Sequence, residues 1–115
     1  MSQERSHITT HVLDAALGLP AAGVPVTLEQ LRGAEWVTLA REVTDADGRV
    51  SQFGPAAVPA GRYRVTFDTG AYFAARQQPA FYPEVTITFD LASTEEHYHV
   101  PLLLSPFAYS TYRGS

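Results

Sequence analysis

The sequence predicts an all-β fold, an antiparallel β-sandwich with one short helix in a single domain. Three observations predict it. Apolar residues alternate with period two over most of the chain. The alternating runs are short, about eight in number. Gly-, Pro- and Asp-rich turn signals separate them at regular spacing, the pattern of packed sheets rather than of alternating strands and helices.

The elements follow in order. Residues 8–15 read as the first strand, ended by the breaker Gly18-Leu19-Pro20-Ala21-Ala22-Gly23. Residues 24–31 place Val24, Val26 and Leu28 on one face, with Pro25 near the strand start, where a missing N–H is tolerated. Arg32-Gly33-Ala34-Glu35 reads as a hairpin connection to a strand over 36–43. Thr44-Asp45-Ala46-Asp47-Gly48 is a turn: Asp side chains bond nearby backbone N–H groups, and Gly48 supplies a positive φ. A short strand over 49–53 and a Pro/Gly-rich loop over 54–61 lead to 62–68, where Tyr63, Val65 and Phe67 face inward. The helix is predicted over 70–78, capped by Thr69 and limited by Pro79 and Pro83. A strand over 84–91, one contained in 95–105 and one over 108–112 complete the chain, with Tyr98, Val100 and Leu102 opposite His97 and His99. Residues 1–7 are expected to form a flexible segment, and residues 8–115 the folded domain.

Composition removes several chemistries. A chain of 115 residues builds one real core without a staple. The absence of cysteine excludes disulfides, thiolate metal sites and cysteine nucleophiles. All eight non-histidine basic residues are arginine, so lysine Schiff-base chemistry is excluded too. The net charge of -4 and the lack of a basic run give no sign of a nucleic-acid partner. No stretch reaches the roughly 20 apolar residues that span a bilayer, and the polar start carries no apolar run of signal-peptide type. No membrane partner and a cytoplasmic location are the expectation. No Gly-x-Ser-x-Gly elbow or Gly-rich phosphate loop occurs. Asp45-Ala46-Asp47-Gly48 lacks the remaining ligands of a calcium loop and is read as a turn.

Histidine is the side chain best suited to proton transfer near neutral pH. His11 sits in an apolar-flanked strand. His97 and His99 are two apart, so on a strand they project from one face about 7 Å apart. That spacing suits two metal ligands; the alternative is two surface histidines beside Glu95 and Glu96. Two histidines with an arginine for an anionic substrate make a workable hydrolytic site. The aromatic run Phe107-Ala108-Tyr109-Ser110-Thr111-Tyr112 reaches almost to the last residue, where polar, fraying sequence is usual. Such a strand needs either a place at a sheet edge or cover from a second subunit.

Several motifs resemble one family. Thr10-His11-Val12-Leu13-Asp14 with Gly18-Leu19-Pro20-Ala21 is similar to the opening strand and turn of the transthyretin-like 5-hydroxyisourate hydrolases. His97-Tyr98-His99-Val100-Pro101-Leu102-Leu103-Leu104-Ser105-Pro106 resembles their late strand, and Tyr109-Ser110-Thr111-Tyr112-Arg113-Gly114-Ser115 their terminal signature. Asp47-Gly48-Arg49 and Tyr82-Pro83-Glu84-Val85 also fit. The resemblance implies a transthyretin-like (prealbumin-like) sandwich of two four-stranded sheets, assembled as a homotetramer, a dimer of dimers, with sites where dimers meet. It implies hydrolysis of 5-hydroxyisourate to 2-oxo-4-hydroxy-4-carboxy-5-ureidoimidazoline in urate catabolism, with no cofactor and no metal. The implied catalytic residues are His11, Arg49, His99 and Ser115. Tyr112, Arg113 and Gly114, with His11 and Arg49, are the implied substrate-binding residues. His97 is outside this set, and His7 has no implied role. Either His99 or His11 serves as the base, and either water or a side-chain hydroxyl attacks. The terminal Tyr112-Arg113-Gly114-Ser115 separates the hydrolases from the hormone carrier of the same fold, which lacks the histidine–arginine set.

Overall fold

Alternation along each strand decides which side chains meet between the sheets. The computed structural model describes residues 5–115. Its elements are β1 (Ile8–Asp14), β2 (Leu19–Pro20), β3 (Pro25–Arg32), β4 (Glu35–Val43), β5 (Arg49–Val50), β6 (Gly61–Phe67), α1 (Thr69–Ala75), β7 (Val85–Leu91), β8 (Tyr98–Ser105) and β9 (Ala108–Thr111). One sheet runs β4-β3-β6-β7, antiparallel throughout. The other runs β2-β1-β8-β9, with β5 also paired to β1.

The two-sheet sandwich with one helix is the architecture expected from the sequence. Two details differ. The sheet built on β1 holds five strands, because the two-residue β2 and β5 both dock on β1. The β1–β8 pairing is parallel, because the chain crosses from the β7 edge of one sheet and enters the other beside the start of β1.

Inward positions of both sheets fill the core. Val12, Leu28, Tyr63, Val65, Phe67 and Leu102 are all fully buried. Each side chain of this kind contributes roughly 1.5–3 kcal/mol by leaving water. In β4 a bulge breaks strict alternation: Leu28 pairs with Ala40 and Glu29 with Thr38, so Leu39 is the extra residue. Leu39 and Ala40 therefore both pack on the core.

The helix is shorter than 70–78 and its cap is Asp68, not Thr69. The Asp68 carboxylate accepts from the Ala71 N–H at 3.0 Å. Thr69 is buried, and its hydroxyl donates instead to the Tyr82 carbonyl. Tyr72 and Phe73 anchor the helix to the core. The Tyr72 hydroxyl donates to buried Asp14 at 2.8 Å, while the other Asp14 oxygen accepts from the Ala16 and Leu17 N–H groups. Burial first, then the Asp14 carboxylate, pushes the Tyr72 phenol up to about 12.

The strand expected over 49–53 is shorter, and the one within 95–105 starts at Tyr98. Residues 51–53 leave the strand because Phe53 turns fully into the core, its N–H donating to the Ser6 hydroxyl. Residues 95–97 form the turn that delivers β8. Of the segment 1–7 expected to be flexible, residues 1–4 lie outside the described residues. Ser6 and His7 are buried. His7 Nδ1 accepts from the Val58 N–H at 3.0 Å and Nε2 donates to the Glu96 carbonyl at 2.7 Å, so this histidine ties three loops together.

Candidate functional site

The outward face of β1 gathers the chemistry. Parallel register sets Thr9 beside His99 and His11 beside Pro101, while antiparallel register sets His11 beside Arg49. Residues paired in register share a face. Thr9, His11, Arg49 and His99 therefore share the face opposite Ile8, Val12, Tyr98 and Leu102.

A tight turn brings Arg49 there. The Asp45 carboxylate accepts from the Asp47 and Arg49 N–H groups at 2.9 and 3.0 Å. Gly48 holds φ at +74°, and its carbonyl accepts from the Val12 N–H at 2.7 Å. A Cβ at this position would collide with the Val12 carbonyl oxygen. Only glycine satisfies both the positive φ and the close approach.

The final residues return to the same place. The Gly114 N–H donates to the His99 carbonyl at 2.9 Å, forming an isolated antiparallel bridge. A Cβ on Gly114 would stand 2.5 Å from His99 Cδ2 and 3.2 Å from Pro101 Cγ. The bare backbone of Gly114 thus forms a wall against the imidazole.

Two cavities meet at His99. One, of about 160 Å³, is polar and is lined by Arg49, Thr9, Ser51, His97, His99 and Ser115, with Arg5 at its edge. The other, of about 370 Å³, is mostly apolar and is lined by Phe89, Tyr98, His99, Thr111, Tyr112 and Arg113 among others. His11 stands beside the polar cavity, its ring 6.5 Å from that of His99 with 29° between the planes. His99 Nδ1 lies 2.8 Å and His97 Nε2 2.9 Å from the Thr9 hydroxyl.

Electrostatics keep these rings neutral. Burial pushes the His99 pKa below its ordinary value, and the neighbouring His11, Arg49, His97 and Arg5 charges push the same way. Burial and Arg49 lower that of His11, outweighing the Asp47 backbone and the Asp45 and Asp47 carboxylates. His97 is lowered by burial, then by Arg5 and His7. At neutral pH the site holds neutral imidazoles, able to accept a proton, beside a fixed guanidinium.

The expected residues divide between the cavities. Arg49, His99 and Ser115 line the polar one, and His11 and Gly114 adjoin it through their contacts with His99. Tyr112 and Arg113 do not. Tyr112 is largely exposed, and the Arg113 guanidinium lies 4.4 Å over the Tyr98 ring and 3.7 Å from Glu96. They reach His99 only through the apolar cavity, whose wall they share. His97, outside the set the motifs implied, lines the polar cavity. Sequence reasoning missed Thr9: its position beside His99 depends on a strand pairing 90 residues apart, which no local pattern reports. Among the described residues no group of three or more His, Asp or Glu side chains is placed to hold a metal ion.

The family model for the HIUase/Transthyretin family matches residues 8–114. The chain belongs to the HIUase/Transthyretin family. Within it, the chain is 49% identical over 110 residues to a 5-hydroxyisourate hydrolase of Salmonella dublin, covering 94% of this chain and 80% of that one. It superposes with a TM-score of 0.82 on a Klebsiella pneumoniae 5-hydroxyisourate hydrolase at 44% identity, covering 94% and 92% of the two chains. A sea bream transthyretin solved in complex with thyroxine aligns with a TM-score of 0.87 at 35% identity, covering 93% of each. The fold is therefore common to 5-hydroxyisourate hydrolases and a thyroxine-bound transthyretin, and the site must distinguish them.

Proposed function

We propose that this chain hydrolyses 5-hydroxyisourate, opening its ring to 2-oxo-4-hydroxy-4-carboxy-5-ureidoimidazoline in urate catabolism. The observation that carries the reading is the convergence of two imidazoles held neutral and one arginine on the outward face of β1. Relatives at 41–49% identity named as 5-hydroxyisourate hydrolases support it.

His99 is the base. It takes a proton from water as the water oxygen bonds to a ring carbonyl carbon. Arg49 faces the oxyanion that forms, through its planar fork of donors. The carbonyl C–N bond then breaks, and the proton passes to the departing ring nitrogen. His11 holds the substrate and shuttles that proton. Ser115 and the bare backbone of Gly114 close the pocket beside the imidazole. No cofactor enters these steps.

The working unit is a homotetramer, a dimer of dimers, acting in the cytoplasm. A cavity of about 160 Å³ is smaller than the roughly 300–1,000 Å³ of ordinary ligand pockets, so walls from other subunits complete it. All of β9 is exposed, as are Phe81, Phe107, Tyr109 and Tyr112. An apolar patch of this kind marks an interface. In the assembly Tyr112 and Arg113 line the substrate pocket from the apolar side. Among the described residues, no helix is long and apolar enough to cross a membrane.

The test follows the ultraviolet absorbance of freshly generated 5-hydroxyisourate with and without the protein. Acceleration above spontaneous decay, proportional to protein concentration, is expected. Decay at the spontaneous rate overturns the reading.

A further inference from the structure

The Thr9 hydroxyl faces two imidazole nitrogens at once, His99 Nδ1 at 2.8 Å and His97 Nε2 at 2.9 Å. Thr9 itself is buried. A hydroxyl has one proton to donate, so at least one of the two rings must donate to it. The neighbourhood decides which. The Ser6 backbone lies beside the His97 ring and acts against the lowering of its pKa, in the sense that favours a ring N–H on that side. With Nε2 turned to Thr9, the N–H aimed at Ser6 is the one on Nδ1. Neutral His97 then offers a bare Nε2, and the Thr9 proton goes to it. The remaining Thr9 lone pairs accept from His99, which must carry its proton on Nδ1. His99 Nε2 is left bare.

We propose that Thr9 is a positioning residue: with His97 anchoring its proton, its hydroxyl fixes neutral His99 as the Nδ1–H tautomer and so leaves Nε2 as the atom that takes the proton from water. This rests on the reading of His99 as the base. The logic is that of any catalytic imidazole whose tautomer is set by the hydrogen bond at its other nitrogen. It also gives His97 a role that the motif resemblance did not imply. The two histidines of His97-Tyr98-His99 act through one threonine, rather than on a shared metal.

Thr9→Val keeps the shape of the side chain and removes the hydroxyl, whereas Thr9→Ser restores the hydroxyl alone. For Thr9→Val we expect kcat to fall by about 10- to 100-fold, the range for losing the partner that orients a functional histidine. KM should stay within about twofold, and Thr9→Ser should recover most of kcat. Imidazole nitrogen-15 spectra above pH 7 should show His99 of the unaltered chain protonated at Nδ1 and bare at Nε2. In Thr9→Val the tautomers should mix. An unaltered chain that turns over substrate while His99 carries its proton on Nε2 overturns the lock alone. So does Thr9→Val with undiminished kcat. An unaltered chain that does not accelerate substrate loss overturns the reading of His99 as the base. If Thr9→Val fails to fold, the tautomer of the unaltered chain and the activity of Thr9→Ser still decide.

Discussion

The polar and apolar cavities share His99 as a wall and little else. Around the polar one, backbone pairing fixes the central groups: Thr9 against β8, Arg49 against β1, and the neighbouring Gly114 by its bridge to His99. Around the apolar one, Arg113 rests on Tyr98 and near Glu96 with more than half of its side chain exposed, and Tyr112 is exposed as well. An ion pair so exposed holds an arginine only weakly. The groups on one side are held by backbone pairing; those on the other stand exposed. On the proposed reading chemistry belongs to the polar side, and other subunits cover both. The four-residue tail serves both because it passes between them.

Removing residues 113–115 breaks both sides at once, and its effect is the largest. Acceleration of 5-hydroxyisourate decay should vanish while the far-ultraviolet circular dichroism of a β-sandwich persists. A truncated chain with full activity would confine the site to β1, β5 and β8.

Gly114→Ala isolates the polar side. The added Cβ meets His99 Cδ2 at 2.5 Å, so the imidazole must shift. A displacement of 1 Å at a reacting group costs up to about 10²-fold in rate. Turnover should fall steeply in steady-state assays, with little change in the thermal midpoint.

Acid separates the two sides more gently. His11 and His99 are both lowered from the ordinary histidine value of 6.5. With the neutral ring as the base in the proposed mechanism, kcat/KM should stay level above about pH 6.5 and fall only below it. Stability follows the same sign. The unfolded chain binds protons at these histidines that the folded chain refuses, so stability is fully present above about pH 6.5 and declines as pH falls through the lowered values. Parallel pH series of activity and urea midpoint check this, and a loss of activity beginning above pH 7 would contradict it.

Tyr72→Phe should leave the site untouched. It removes a hydrogen bond to buried Asp14, which keeps two backbone donors. Urea unfolding should show a loss of about 1–3 kcal/mol, with kcat unchanged.

Much of this fold was legible because burial imposes a period. Tyr63, Val65 and Phe67, or Tyr98, Val100 and Leu102, announce an inward face whatever their partners are. Strand ends were less legible. Thr69 and Asp68 both suit a cap, and only the Tyr82 carbonyl, distant in sequence, draws the Thr69 hydroxyl away. In the site, His11, His99 and the aromatic tail stood out from the residues themselves, whereas Arg49 and the role of each came through motif resemblance. Thr9 stayed hidden because its place beside His99 depends on the parallel β1–β8 register; His97 stood out by its spacing from His99, but its contact with Thr9 did not. Arg113 was expected to line the substrate pocket; within one subunit it lies over the Tyr98 ring and lines the apolar cavity.

The most direct test of a reaction centred on the polar cavity is the turnover of folded His99→Ala. With His99 as the base, kcat should fall about 10²–10⁴-fold, and the protein should keep its oligomeric state. A folded His99→Ala protein that consumes 5-hydroxyisourate at the unaltered rate would contradict the account and place the chemistry elsewhere on the chain.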